Sequence, residues 1–547
     1  VTITDPNDAN DPNNPNNPND FYDLRTRPWV PVTSSAGATS LGLRDLFLTA
    51  HGLGGLAVAL PPAASGLMRV LYAMAARITG LDEATGAQEW SLRRYTLLEK
   101  QGCFEPSAVE DYLGEHAAGL RLHDPVRPFL QDARLAEESA TTSGVNKLVM
   151  ARPSGSNQVF FGHFTDREQV HLSSAEAVLH LIAQLYYGPS GQCTPRTVKG
   201  RRYGNTMAGP LRRRLSYHPE GRNLFETLVL GIPAPWPTPA PGEKHMSDGC
   251  PWERVEPLDS LGLPGGPAGP LSLLTEQYQH AVLLTPGPGG DTVVDATITW
   301  ALRENRPVHK DPYLVWDEGT DGTVRPRYAS ADRALWRDLD ALVLMNRGDA
   351  NRRPLIMDGL SGDWLPEPVF THLRVRAYGF DQDGQTRDRT YFSAATPELF
   401  ALLEGSGTDT DSDLARGAKD GREAAEKAAR YLAFALRQAW RAYTTPFGDS
   451  RPAKVTGQTP DGRRKDAGPW PAMALAAYWP AAEDLFWAAL YAADFTHSLR
   501  DFGRLALEIY DDVTRPVAHT PRGAKAREGA RAIVRSLVAA ARNVAVP

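Results

Sequence analysis

Apolar positions along this chain switch period several times, and the switches mark its elements. Residues 1–20 are mostly Asn, Asp and Pro with almost nothing to bury, which predicts a disordered segment. The fold is expected to begin near Phe21, with a short apolar run at Trp29-Val30-Pro31-Val32. Leu67, Leu71, Met74 and Ile78 fall at helical spacing behind Pro61-Pro62 and Ser65, predicting a buried helix face. Arg69 and Arg77 lie off that stripe and are expected in solvent. Ser173-Ser174-Ala175-Glu176 precedes Val178, Leu179, Ile182 and Leu185, a helix start with its cap. Val293, Val294, Ile298 and Trp300 predict a strand. Leu373, Val375 and Ala377 alternate with Arg374 and Arg376, then Asp381 to Gln385 turns toward Tyr391-Phe392. That pattern is a β-hairpin with Asp-Gly as its turn signal.

Residues 405–413 read as a flexible acidic linker, and beyond them the period is helical. Four stripes are expected: Ala428/Leu432/Ala435/Ala439, Leu485/Ala488/Ala492/Phe495/Leu499, Phe502/Leu505/Ile509 and Ile533/Leu537/Ala540/Val544. A long loop from Thr444 to Pro469 separates the first two. The expected class is α+β: a large mixed α/β N-terminal domain with β-hairpins and long loops, then a C-terminal four-helix bundle. The expected boundaries are 1–20 disordered, 21–400 mixed α/β, 401–420 linker and 421–547 bundle.

The length of 547 residues exceeds what one core supports. No apolar run of 18 residues occurs, so no membrane span is expected. No secretory signal opens the chain, and Cys103, Cys193 and Cys250 are scattered, so a reducing cytoplasm is expected. The net charge is −6, yet no acidic residue stands between Glu176 and Glu220. Inside that gap lie Arg196, Lys199, Arg201, Arg202, Arg212, Arg213 and Arg214 among glycines. The segment reads as a basic loop suited to phosphate backbones, although a merely solvated loop would have the same composition.

Catalytic signatures are missing. There is no phosphate-cradling Gly-x-x-x-x-Gly-Lys-Ser/Thr loop and no His-Glu-x-x-His pair. His123-Asp124 has no marked nucleophile, and His245 with Cys250 is two ligands short of a zinc site. The acidic pairs Asp338/Asp340, Asp381/Asp383 and Asp409 to Asp413 read as a helix face, a turn and a linker. No catalytic residue, metal or cofactor is therefore expected, and a binding protein is favoured over an enzyme. A nuclease with dispersed carboxylates and a purely structural ribonucleoprotein subunit are the alternatives.

Several segments resemble one family. Phe21-Tyr22-Asp23-Leu24-Arg25-Thr26-Arg27-Pro28-Trp29-Val30-Pro31-Val32 is similar to the opening strand of the CasA family, the large subunits of type I-E CRISPR Cascade complexes. Leu41 to Leu60, with Asp45-Leu46 and Ala50-His51-Gly52, resembles the stretch that follows. Pro128-Phe129-Leu130-Gln131, inside Leu122 to Gln131, resembles the family's Pro-Phe-x-Gln segment, and Pro251-Trp252-Glu253 fits a further signature. The resemblance implies a subunit that performs no chemistry. It would read the protospacer-adjacent motif on double-stranded DNA from the minor groove, help open the duplex, and recruit a helicase-nuclease. The implied partners are target DNA, guide RNA, the other Cascade subunits and that nuclease, with no membrane.

Residues follow by position. Thr141 to Asn157 resembles the family's L1 loop, which nominates Asn146, Lys147, Arg152, Ser154 and Asn157. Ser173 and Ser174 stand where relatives carry a glycine loop against the minor groove. The hairpin tip falls where relatives place a glutamine wedge, which nominates Gln382, Gly384 and Gln385, with Arg374, Arg376, Arg387 and Arg389 as flanking cations. The lysine-finger region, Val315 to Gly319, carries acids instead, leaving Lys310 and Arg306 as substitutes. Only Cys250 stands where some relatives have a cysteine cluster, so no zinc is implied.

Overall fold

The computed structural model describes residues 21–150, 152, 170–236, 248–304, 309–318, 321–344, 353–383, 387–404, 412–445 and 468–544. The chain divides into two compact units, residues 1–335 with 346–402, and residues 336–345 with 403–547. The expected disordered segment 1–20 and most of the Thr444–Pro469 loop lie outside the described residues.

The first unit holds small antiparallel sheets tied together by helices. Strand β1 (Val30–Ser34) pairs with β2 (Gly37–Leu41) and β3 (Leu53–Leu56), burying Trp29, Val30 and Val32. Next come β4 (Leu172–Ser173), the hairpin of β5 (Gly191–Val198) and β6 (Arg201–Thr206), and β7 (Leu215–Glu220). Then follow β8 (His280–Pro286) with β9 (Thr292–Trp300), and the short pair β10 (Trp316–Glu318) and β11 (Val324–Pro326). Last is the long hairpin of β12 (Arg374–Asp383) and β13 (Arg387–Ala395). The further sheets have the orders β4-β9-β8, β5-β6, β10-β11 and β13-β12-β7. The hairpin expected from the alternation at 373–392 is present, with β12 central in its sheet.

Helix Pro61–Thr79 is the hub of this unit. It is apolar nearly all round, and every residue from Pro62 to Ala76 is buried, as such a helix requires. Helix Ser174–Tyr187 packs across it at Gly66, where a Cβ would come within 2.6 Å of Ile182 and Tyr186. Arg69 and Arg77 differ from the sequence reading: Arg69 is buried, and Arg77 is half-buried and held in ion pairs. Arg69 is only 1% exposed and makes a bidentate pair with Asp311 at 2.6 and 3.0 Å. Burial alone would lower its pKa; the Asp311 carboxylate reverses this and holds it above the ordinary arginine value. Arg77 pairs with Asp82 and with Glu253. Beside the Arg69–Asp311 pair, His218 of β7 stacks on Tyr313 at 4.6 Å, and Tyr72 stacks on both. The periodicity missed the pairs with Asp311 and Glu253 because those partners lie far away in sequence.

The second unit is helical. Helix Asp413–Thr444 packs on each of helices Trp470–Tyr491, Ser498–Thr514 and Pro521–Val544. Its core face is alanine-rich, including the expected Ala428, Leu432, Ala435 and Ala439. The second stripe differs from expectation. The buried face is Trp470, Ala474, Tyr478, Ala482, Phe486 and Leu490, while Ala488 and Ala492 are exposed. Helix Trp470–Tyr491 is apolar on most sides, so spacing alone does not select its inner face. Helix already begins at Asp413, inside the stretch read as linker, with Ser412 capping Ala415. Trp336 packs on Phe486, Arg337 pairs with Glu426 and Asp340 with Arg422, which places segment 336–344 in this unit.

Truncating one partner of a buried ion pair strands the other charge, so Asp311→Ala is expected to cost about 3–5 kcal/mol of stability. Urea unfolding of the variant against the parent chain checks this. Loss of less than about 1 kcal/mol would show that the pair is not what holds β7 to the hub.

Candidate nucleic-acid interface

Strand β9 organises several of the nominated residues. Its start pairs with β4, setting Ser173 opposite Thr292. The carbonyl of Ala296 accepts from the Ser143 amide, and the Ile298 amide donates to the Ser143 hydroxyl. These bonds anchor the short helix Val145–Leu148, which carries Asn146 and Lys147. Asn146 is buried, and its side-chain oxygen accepts from the Val170 amide at 3.0 Å. That oxygen therefore holds the loop's base. Lys147 and Arg152 are half-buried. Ser154 and Asn157 lie outside the described residues.

The two serines divide their work. Ser173 forms a full capping box with Glu176, accepting from the Glu176 amide while the Glu176 carboxylate accepts from the Ser173 amide. Ser174 is buried, donates to the Gly290 carbonyl at 2.7 Å and meets His123 Nε2 at 2.9 Å. Having spent its proton on Gly290, the Ser174 hydroxyl accepts from His123 Nε2–H. Burial lowers the His123 pKa to about 4, so the ring is neutral at neutral pH. His123 is thus a structural partner of the helix start. Its sequence neighbour Asp124 instead accepts from the amides of Val126 and Arg127.

The basic segment is a loop only in its second part, residues 207–214, which carries Arg212, Arg213 and Arg214. Residues 191–206 form the β5–β6 hairpin, turning at Lys199-Gly200, both with positive φ (48° and 76°). Its cations separate into three groups. Arg196 is 0% exposed and bonded to Asp132, Glu138 and the Trp300 carbonyl, so it is an internal strut. Arg212 is also buried, paired with Asp388 and bonded to the Tyr187 carbonyl. Neither is available to a phosphate, which corrects their nomination. The gap in acidic residues is a gap in sequence only, because Asp132, Glu138, Asp259 and Asp388 arrive from distant segments.

The second group is the hairpin tip. Lys199 pairs with Asp259 at 3.2 Å on an exposed edge, while Arg201 and Arg202 are exposed and make no ion pair among the described residues. The third group is Arg213 and Arg214, each about 4.6–4.7 Å from the Tyr328 ring. Arg213 sits at φ 65°, a costly backbone for arginine that its surroundings fix through the Ala329 amide. Tyr328, 51% exposed, was not singled out from the sequence. An aromatic isolated among polar residues carries no periodic signal.

The β12–β13 hairpin stands beside this third group, since the Phe380 amide donates to the Arg214 carbonyl. Gln382 differs from its reading as a tip residue. It is a buried strand residue that pairs with Asp388 in register and donates to its carboxylate at 3.2 Å. Gly384 and Gln385 lie outside the described residues. Arg374 and Arg376 pair with Glu220 at the opposite end of β12, about 25 Å from the tip at 3.3 Å per residue, so they do not flank it. Arg389 is tipward, bound to Asp381 and Asp332. Asp317 of β10 binds Arg327, and Lys310 is exposed. Arg306 and His245 lie outside the described residues.

Among the described residues, no group of three or more His, Cys, Asp or Glu is placed to hold a metal ion. No helix among them is long and apolar enough to cross a membrane. Cys250 is buried, and its thiol pKa is raised by that burial.

A mixed α/β unit with small antiparallel sheets and a C-terminal helical unit is the fold of solved Cse1 structures. The Cse1 protein of Acidimicrobium ferrooxidans is 22% identical, with 96% of this chain and 99% of that chain covered at a TM-score of 0.70. A chain of a solved CRISPR RNA-guided surveillance complex is 40% identical, covering 94% of this chain and 99% of that one at a TM-score of 0.80. The CasA/Cse1 protein of Thermus thermophilus is 26% identical over 394 residues, 70% of this chain and 71% of that protein. The model of the CRISPR-associated protein Cse1 family matches residues 23–518. The chain belongs to that family.

The burial of His123 sets a pH dependence. The folded pKa lies below the ordinary histidine value, so the unfolded chain takes up the proton first. The contribution is whole above pH about 6.5 and is lost as pH falls toward 4. Urea midpoints measured across that range should decline, and His123→Gln should flatten part of the decline. His280, also lowered to about 4 by burial, supplies a further part that the variant keeps.

Proposed function

We propose that this chain is the large, non-catalytic subunit of an RNA-guided surveillance complex, and that it inspects the motif flanking a DNA target and starts duplex opening. The observation that carries the reading is a chain 40% identical over nearly the full length in such a complex. Within the molecule, the supports are local. A rigid hairpin is fixed in a three-stranded sheet, and β9 anchors both the helix start at Ser173 and the segment carrying Lys147.

In this reading the small, capped Ser173–Glu176 turn and Lys147 and Arg152 lie against the minor groove, where small groups suffice for its sparse code. The hairpin tip, with Gln385 first and Gly384 beside it, enters the first base pair of the target. Exchange of a DNA duplex for an RNA–DNA hybrid is nearly balanced in the Cas9-type case, so a few kcal/mol from the wedge decide the outcome. Lys199, Arg201, Arg202 and Arg213 hold flanking phosphates without reading sequence. Recruitment of a helicase-nuclease would follow once the strands part. The guide RNA and the other complex subunits are the remaining partners.

The test is strand opening by the reconstituted complex with a guide RNA, followed with a fluorescent base beside the flanking motif. Gln385→Ala is expected to slow opening at least tenfold while duplex capture persists. Opening at the parental rate would reject the wedge, and metal-dependent cleavage by the chain alone would favour a nuclease. Separately, Arg201→Ala/Arg202→Ala should reduce the slope of log K against log salt by about 1–2. An unchanged slope would remove the β5–β6 tip from the DNA path.

A further inference from the structure

Arg94, on helix Ala87–Thr96, is a buried cation with no counter-ion among the described residues. Its guanidinium is 0% exposed, stacks on the Trp90 ring at 4.1 Å and donates one hydrogen bond to the Gly359 carbonyl. Among the described residues its Nε and Nη1 have no partner, nor does Trp90 Nε1–H, which is also buried. Desolvation is therefore not offset, and it lowers the Arg94 pKa to about 9. Gly359 permits this contact, since a Cβ there would lie 3.1 Å from Arg94 Nη2 and 3.2 Å from Trp90.

Trp90 and Gly359 line a cavity of about 600 Å³. Two further walls are the indoles of Trp236 and Trp364, 37% and 39% exposed. The Trp236 ring is held by stacking on His309 at 5.9 Å. Lys310 stands at the same cavity. One acid, Asp358, also lines it, and Arg353 lies 3.6 Å from its carboxylate. The site therefore offers flat aromatic walls with one lysine at the lining, while Arg94 and the Trp90 indole N–H lie buried behind the wall. A ligand that matches has a flat π-face, hydrogen-bond acceptors and a negative charge, and the volume suits one small molecule or one residue of a chain.

We propose that this cavity receives an unpaired nucleotide of a single-stranded nucleic acid, its base against Trp236 and Trp364 and its phosphate toward Lys310. Base stacking on indole is tolerant of sequence, and the cations track the backbone. An acidic, aromatic peptide shares part of this chemistry but lacks a flat acceptor-rich face of nucleobase size. The assignment gives Lys310 a phosphate of an open strand in place of a finger role at the duplex. It stands without the motif-reading proposal, because it concerns a strand already unpaired.

The experiment uses the full chain alone and a short fluorescein-labelled oligothymidylate, read by anisotropy. Trp364→Ala and Trp236→Ala should each weaken binding about tenfold, while Trp364→Phe keeps most of it. Thermal melts confirm that each variant is folded, and two separate tryptophans guard against one that is not. Parental affinity in both alanine variants would overturn the proposal. So would absence of oligonucleotide binding together with loss of co-purification with the other complex subunits, which would mark the cavity as a seat for a protein segment. Strand opening by the assembled complex with Gln385→Ala is read separately, so the two proposals fail independently.

Discussion

The first unit rests on a cation placed where water cannot reach it. Arg69 sits mid-helix in the hub and is held by Asp311 from a segment 242 residues away. A buried guanidinium with so close a carboxylate fixes both chains in one geometry, because any other arrangement leaves a charge unpaired. The stacked rings of Tyr72, His218 and Tyr313 lie against the same pair and tie in β7. Since β7 is the neighbour of β12, the stem of the long hairpin inherits its position from this polar core. Hydrophobic packing gives the unit its stability, while the ion pair selects which compact arrangement it adopts.

The second organiser is β9. It pairs with β4 and β8, anchors the segment at Ser143 through backbone and hydroxyl bonds, and takes the indole of its own Trp300 to the Tyr203 carbonyl of β6. Thr299 reaches Thr194 of β5 in the same way. The helix start at Ser173, the short helix with Lys147 and the cationic hairpin tip are thus mounted on one strand. These three groups come from separate regions of the sequence, and one strand supplies their common frame.

Much of the fold was legible because it follows from local pattern. Alternation plus Asp-Gly gave the β12–β13 hairpin, Ser173 with Glu176 gave a helix start that is a full capping box, and a 3–4 apolar period gave the hub helix. The misreadings share a physical cause, namely that a charge's partner need not be near it in sequence. Arg69, Arg77, Arg196 and Arg212 all read as surface cations, and each is held by carboxylates from remote segments. The second bundle stripe failed for a different reason: a helix rich in Ala, Trp and Leu on every side carries no phase information. Tyr328 and the tryptophan cavity were invisible because they exist only once separate loops converge.

Asp388 accepts from both Arg212 and Gln382 at the narrow end of the long hairpin. Side chains on a strand alternate between faces, so slippage by a single position would turn this carboxylate away from both donors at once. Arg212 would then be left uncompensated beneath the Phe380 ring. The clamp thus works as a proofreading device for strand alignment: misaligned forms are penalised electrostatically, and the two arms come to rest in one register.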